Sequence, residues 1–141
     1  GGGYVCRGHQ DLYRRDGRMR KEFNFRDARV KLKIAGHVFE VDMGKRALHE
    51  ELATFSQRAL EYSKALKTSK DAKKTLEEAT QFILMSIDKI LGQGASAKIF
   101  QDRTADLADA TDVVNFILQS LNQAREKRMQ RYQKLAAEAQ R

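Results

Sequence analysis

Glycines and a lysine at Gly92 to Lys98, in the segment GQGASAK, have the composition of a phosphate-binding loop. Such residues at the start of a helix can hold a phosphate through backbone N–H groups. The segment lacks the G-x-x-x-x-G-K-[ST] spacing, and it follows a predicted helix where that motif requires a strand. The sequence therefore does not predict nucleotide binding.

Histidine and cysteine suggest a metal site in two places. Cys6 and His9 have a ligand-like spacing, but a second pair of ligands is missing. His49 begins an H-E-x-x-H pattern, yet Ala53 stands where the second histidine is required. We interpret these histidines, and His37 in a predicted turn, as structural or exposed, and we predict no metal.

The sequence also lacks a recognisable pair of a catalytic nucleophile and its base. No nucleophilic side chain has a base at a recognisable spacing, and the carboxylates alternate with lysines as they do on helix surfaces. The sequence predicts a protein that is not an enzyme and uses no cofactor.

Composition predicts one soluble, folded domain. Hydrophobic residues make up 41% of the 141 residues and charged residues 33%, with a mean hydropathy of -0.65. No apolar run approaches the roughly 20 residues that span a bilayer. The single cysteine, Cys6, cannot form an internal disulfide, which fits a reducing cytoplasm.

The net charge of +8 is spread thinly along the chain. Basic residues cluster only near the C-terminus, with Glu126 among them. The cluster consists of Arg125, Lys127, Arg128, Arg131 and Lys134. Mixed charges on a helix favour a solvated face, and a phosphate-binding stripe is the alternative.

Residues 1–28 show neither a helical nor a strand period. The chain starts with three glycines and no methionine. We therefore interpret residues 1–28 as an N-terminal extension, which is either a remnant of expression or processing or a flexible segment. The alternative is a native arm that becomes ordered against a partner.

A period of two predicts a β-hairpin over residues 30 to 42. Apolar and charged residues alternate on both sides of Ala35 and Gly36, which are typical of a two-residue loop. This loop pairs Ile34 with His37, Leu32 with Phe39, and Val30 with Val41. One face is then apolar, and it must pack on helices or on another subunit because an isolated hairpin is only marginally stable.

Two long helices are predicted next, over residues 46 to 67 and 70 to 91. The first has a heptad-like apolar stripe. Its members are Leu48, Leu52, Phe55, Ala59, Tyr62 and Leu66. The second opens with an N-cap signature, Thr68 followed by Asp71 three positions later. We expect the two helices to pack antiparallel around a Leu/Phe/Ile core.

The second half of the second helix, Phe82 to Ile87, is apolar on nearly every side and must be covered on every side. Two interpretations follow: another copy of the chain covers it, or it is the central helix of a small bundle.

Gly92 and Gly94 interrupt the helical pattern and predict a joint, which we define as residues 91 to 103. Glycine ends a helix readily because it adopts left-handed conformations without a side-chain penalty. A single helical turn is predicted at residues 96 to 100, in which Ile99 and Phe100 form an apolar plug.

The last helix is predicted over residues 111 to 135, with Thr111 favoured as its N-cap over the segment that starts at Thr104. Its apolar stripe thins beyond Ala124. We therefore divide the chain, after the extension, into a hairpin-plus-helix domain at 29–124 and a charged helical arm at 125–141. The predicted fold class is mainly α, a small helical bundle with an N-terminal β-hairpin.

Two motifs carry a resemblance to a known family. One is I-x-G-x-x-F-x-V-D at Ile34 to Asp42, and the other is G-x-G-A-x-x-x-I-F at Gly92 to Phe100, followed by Asp102 and Arg103. With the helices between and after them, residues 29 to 125 resemble the small tail assembly chaperones of long-tailed phages and prophages of Gram-positive bacteria. The joint motif comprises Gly92, Gly94, Ala95, Ile99, Phe100 and Arg103.

The resemblance implies a non-catalytic role in tail morphogenesis. Many copies of such a chaperone coat the helical tape measure protein until tail tube subunits polymerise around it, and a frameshift-extended form recruits the tail tube protein. It also implies a homo-oligomer in the cytoplasm of the bacterial host that is absent from the mature virion. We expect six apolar residues to form the client or self-association surface. They are Phe55, Tyr62, Phe82, Met85, Ile87 and Phe116.

Two other functions stay open at this point. A small basic nucleic-acid-binding protein would use the helix from Arg125 to Lys134, and its binding would weaken steeply as salt rises. A head-to-tail connector or tube-joining protein would be present in purified virions.

Overall fold

The computed structural model describes residues 21–140 and is mainly helical, with an N-terminal antiparallel hairpin, as predicted. Its elements are β1 (Arg29–Ile34), β2 (His37–Asp42), α1 (Arg46–Thr68), α2 (Ala72–Leu91), α3 (Ala95–Phe100) and α4 (Leu107–Ala139). Most of the predicted N-terminal extension, with Cys6 and His9, lies outside the described residues.

The hairpin has the predicted register in every pair, including Ile34 with His37 and Leu32 with Phe39. Ala35 and Gly36 form its loop, and both have positive φ, 50° and 83°. Positive φ at both loop residues matches the twist of the strands. The apolar face of the hairpin is buried: Leu32, Ile34, Phe39 and Val41 belong to the core. That face packs on helices of the same chain, since β1 contacts α4 and β2 contacts α2.

Helix α2 is the central element of the domain. It contacts α1, α3, α4 and β2. Ile87 on α2 is completely buried and Ile90 nearly so, while Phe82, Ile83 and Leu84 are half-buried. Helices of the same chain therefore cover most of the apolar segment, so the interpretation as a central core helix accounts for its composition.

The start of α2 differs from the prediction. Thr68 is the last residue of α1, where its hydroxyl donates to the Lys64 carbonyl oxygen at 3.2 Å. Asp71 is the N-cap instead, and its Oδ1 accepts from the Lys74 backbone N–H at 3.1 Å. A carboxylate caps a helix start as well as a hydroxyl does, so the signature marked the region but not the capping residue.

Helix α4 also starts earlier than predicted, and Thr111 is not its cap. Asp106 is the N-cap, with Oδ1 accepting from the Asp109 N–H at 2.8 Å. Starting one turn earlier places Ala110 in the core, where it is completely buried. The helix continues to Ala139 rather than ending near 135, because no glycine or proline interrupts it.

The joint has the predicted form. Gly92, with φ 117°, follows the last residue of α2, and Gly94, with φ 84°, is the left-handed N-cap of α3. Asp88 Oδ1 accepts from the Ser96 N–H at 2.7 Å, so a side chain of α2 caps the start of α3. Ile99 and Phe100 are buried, which confirms the apolar plug.

Candidate helix-binding surface

An open groove lies beside α1 and α2, with a volume of about 530 Å³. Apolar side chains of Tyr62, Phe82 and Met85 line it together with charged side chains of both signs. The charged and polar lining residues are Arg58, Lys74, Glu77, Glu78, Gln81, Ser86 and Lys89. An apolar floor with a mixed-charge rim suits an amphipathic helix.

Stacked aromatic rings hold the floor of the groove in place. The Phe82 ring lies 5.0 Å from the Tyr62 ring and 5.4 Å from the Phe55 ring, centroid to centroid, and is stacked on both. The Arg58 guanidinium carbon lies 5.0 Å from the Phe82 centroid. Each such contact contributes about 0.5–1.5 kcal/mol beyond burial. The floor is therefore preformed rather than assembled when a partner binds.

The groove runs along α2 for most of its length. Its lining residues on this helix extend from Lys74 to Lys89. At a rise of about 1.5 Å per residue this is a length of roughly 22 Å, or about four helical turns. Met85 stands one turn before the Lys89 end of that face with 57% of its surface exposed, among polar neighbours such as Glu78 and Gln81.

The six residues predicted for the client surface divide into three groups. Tyr62, Phe82 and Met85 line the groove. Phe55 and Ile87 are only 5% and 0% exposed, so they belong to the core, and Phe55 supports the groove from beneath by stacking on Phe82. Phe116 is 44% exposed on α4 and does not line the groove. Periodicity alone could not separate these groups, because all six occupy apolar helix positions.

Residues of the joint motif shape the chain between α2 and α4 and do not line the α1–α2 groove. Ala95 is buried beside Ile99 and Phe100. Arg103 is exposed, and its Nε donates to Asp109 Oδ2 at 3.1 Å on the first turn of α4. The motif therefore fixes where α4 begins, and its Gly92 also lines a second open groove of about 600 Å³, bounded by β2, α1 and the end of α2.

The two histidines within residues 21–140, His37 and His49, make structural contacts. His49 Nε2 lies 2.7 Å from the Met43 carbonyl oxygen, and His37 Nε2 lies 3.0 Å from Gln101 Nε2. Within residues 21–140, no cluster of three or more His, Cys, Asp or Glu residues could hold a metal. In the same part of the chain, no helix has the length and apolar composition that crossing a membrane requires.

A perturbed carboxyl group lies at the start of the hairpin, away from the groove. The Arg29 side chain and backbone N–H donate to Asp27, and the guanidinium lowers the pKa of Asp27 to about 2. The same carboxylate raises the pKa of Arg29. Both groups are exposed, so the pair marks the entry to β1 rather than a reactive site.

Sequence reasoning missed two features of the surface. Arg58 was one of several charged residues outside the apolar stripe, and only the structure places it over the Phe82 ring. Met129 also escaped notice, although it is 53% exposed on the arm beside Tyr132 and Leu135. The spacing of Met129 and Tyr132, three positions apart on a helix, was the available signal.

Comparison with known proteins gives one match. A family model described as "Family of unknown function (DUF6673)" matches residues 35–141. No curated protein and no solved structure matches the chain.

Proposed function

We propose that this chain, which belongs to the DUF6673 family of unknown function, is a non-enzymatic phage tail assembly chaperone that binds the helical tape measure protein. The observation that carries the proposal is the groove along α2, whose apolar floor is partly exposed and preformed. The hairpin and joint motifs, which resemble those of tail assembly chaperones, support the same assignment.

The groove suits reversible binding of a helical client. A client helix would cover Met85 and the exposed parts of Tyr62 and Phe82. Burying one large apolar side chain contributes about 1.5–3 kcal/mol, and two of these three are already half-buried. Association costs about 4–15 kcal/mol, so one groove holds one helix weakly.

Weak single contacts are what a coating role requires. Many copies along one long client protect it collectively, and each copy leaves readily when a tube subunit competes for the same surface. We also propose that neighbouring copies associate with one another on the client. The protein would act in the cytoplasm of the bacterial host and be absent from the finished virion, and an extended form would contact the tail tube protein.

Co-expression with the tape measure protein encoded nearby tests the proposal. We expect the two proteins to co-purify, and we expect Met85→Glu to reduce the recovered client at least about tenfold, because it places a charge against the apolar face of the client. Val38→Glu is the matched control, since Val38 is 62% exposed on the hairpin and lies outside the groove.

Two outcomes contradict the proposal. One is a chain that stays strictly monomeric at tens of micromolar and does not recover the tape measure protein. The other is the presence of the chain in purified virions, which would indicate a connector or tube-joining protein.

Nucleic-acid binding by the arm is a second candidate function, favoured by the exposure of its basic cluster. Arg125, Lys127, Arg128, Arg131 and Lys134 are all exposed. None of them forms a salt bridge with another residue in the range 21–140. Binding of duplex DNA that falls steeply between low and high salt would support this candidate, whereas client binding through the groove should depend only weakly on salt.

A further inference from the structure

The arm continues the buried face of α4 beyond the domain. Eighteen residues are five turns of an α-helix at about 3.6 residues per turn, so residues eighteen apart lie in line along it. Tyr132, Leu135 and Ala139 stand at this distance from three buried residues of the first half of α4. Those residues are Val114, Ile117 and Leu121.

The in-line residues of the arm have no cover within the described chain. All residues from Arg125 to Gln140 are exposed, and Tyr132 keeps 61% of its surface. Met129 and Ala136 widen the stripe, because they lie three and four positions from Tyr132. We define the arm stripe as Met129, Tyr132, Leu135, Ala136 and Ala139.

Basic side chains run along one edge of the arm stripe. Arg128 and Arg131 stand seven and four positions before Leu135, so they project next to it, and Glu138, seven positions after Arg131, is the one acidic side chain on this edge. In a pair of helices, residues at this edge face the edge of the partner and select it by charge. The occupant should therefore carry carboxylates beside its own apolar stripe.

Charge also argues against a second copy of the arm as the occupant. Residues 122–140 contain five Lys or Arg residues and two Glu residues, Glu126 and Glu138. Pairing two arms would bring like charges together along the contact. The α1–α2 groove of another copy is no better matched, because Arg58, Lys74 and Lys89 outnumber the acids Glu77 and Glu78 there.

We propose that the arm stripe is a docking site for an acidic amphipathic helix of a partner protein, which pairs with the arm as a two-helix coil. The inference stands independently of the α1–α2 groove, because it uses a different helix and a different set of residues. A nucleic acid would explain the basic side chains but would leave the apolar stripe without a role.

The test uses the full chain and two synthetic helical peptides of about 20 residues, the length that matches the arm. Both peptides carry the same leucine stripe; one has glutamate along its edges and the other has lysine. We expect the glutamate peptide to bind at least about tenfold more tightly than the lysine peptide in a fluorescence anisotropy titration.

Variants locate the binding on the arm. Leu135→Glu should weaken binding of the glutamate peptide about tenfold or more, and Arg128→Glu with Arg131→Glu should reverse the preference between the peptides. Gln130→Glu is the matched control, since it adds the same charge to the arm away from the stripe, and we expect less than about a twofold change in peptide affinity.

Met85→Glu should leave peptide binding unchanged, which separates this site from the groove. Because the arm is exposed, every arm variant should keep the circular dichroism and melting temperature of the parent.

Three results would overturn the inference. The first is equal binding of both peptides, or glutamate-peptide binding that Leu135→Glu does not weaken. The second is a dimer, seen by light scattering, that Leu135→Glu dissociates while the glutamate peptide fails to bind. The third is binding of a short DNA duplex by the arm together with no binding of either peptide.

Discussion

The two halves of α4 share a periodic pattern but differ in what covers them. In the first half, Val114, Ile117 and Leu121 are buried against the rest of the domain, and α4 contacts both α2 and β1. In the second half the in-line residues Tyr132 and Leu135 are exposed. A helix therefore keeps its apolar face whether or not the part of its chain at residues 21–140 provides a neighbour.

This difference shows that the burial of an apolar residue in α4 depends on which elements pack against it, and not on the spacing of apolar residues along the helix. The stabilisation that a residue contributes should follow its burial, while its place in the pattern should matter little. Substitutions in α4, and in the elements that position it, can test this contrast.

The largest effect is expected at Ile117, which is completely buried. Ile117→Ala should lower the free energy of unfolding by about 3 to 4 kcal/mol through lost burial and an unfilled cavity. Leu135→Ala is the matched control eighteen residues later and should change it by less than about 0.5 kcal/mol. Urea denaturation measures both, and similar losses for the two variants would contradict the contrast.

The joint provides the next test, because it sets where the buried half of α4 begins. Gly94 has a φ of 84°, and a Cβ placed there meets nothing within 4 Å. Gly94→Val should therefore cost about 1 to 2 kcal/mol through backbone conformation alone. Gly94→Asn should cost less, since asparagine tolerates the left-handed region. An unchanged melting temperature for Gly94→Val would contradict this role of the glycine.

A smaller effect is expected at Asp88, which caps α3 from α2. Asp88→Ala removes the acceptor for the Ser96 N–H and should cost about 1 kcal/mol by thermal denaturation. Asp88→Asn keeps an acceptor oxygen and should retain most of the stability. Equal losses for both variants would show that the carboxylate charge, rather than the hydrogen bond, stabilises the joint.

The hairpin that β1 presents to α4 can be made more stable. Ala35 has a φ of 50°, a conformation that alanine adopts at a cost. Ala35→Asn should raise the free energy of unfolding by about 0.5 to 1 kcal/mol, because Asn-Gly is the preferred pair for this loop. Lys33→Asn, on the exposed face of β1, controls for the residue type and should give no gain.

The smallest effect is expected from removing the arm. A chain that ends at Ala124 loses only exposed residues among those described, so its melting temperature should shift by no more than about 2 °C. A large drop would mean that the arm is covered in solution and would remove the contrast between the two halves of α4.

The sequence predicted elements with a strong period correctly and placed some of their ends wrongly. The hairpin register followed from alternation around Ala35 and Gly36, and the stripe of α1 followed from its spacing. The N-caps were harder, since Thr68, Asp71, Asp106 and Thr111 all have capping side chains. Tertiary packing decided among them, as the burial of Ala110 shows.

The candidate surface was predicted only in part, and the reason is geometric. A helical stripe reveals which side chains are apolar, but the depth at which each lies depends on where neighbouring helices cross. Phe55 and Met85 are both large apolar residues in predicted helices, yet one is buried beneath the groove and the other is 57% exposed.

The central place of α2 has a consequence for how the molecule opens. Helix α2 packs against four other elements, α1, α3, α4 and β2. A local opening that frees α2 would therefore break its contacts with several of these elements at once. Its backbone amides around Ile87 should therefore be the last to exchange with deuterium, at rates set by global unfolding. Amides of the arm should exchange first, through fraying that leaves the rest of the molecule closed.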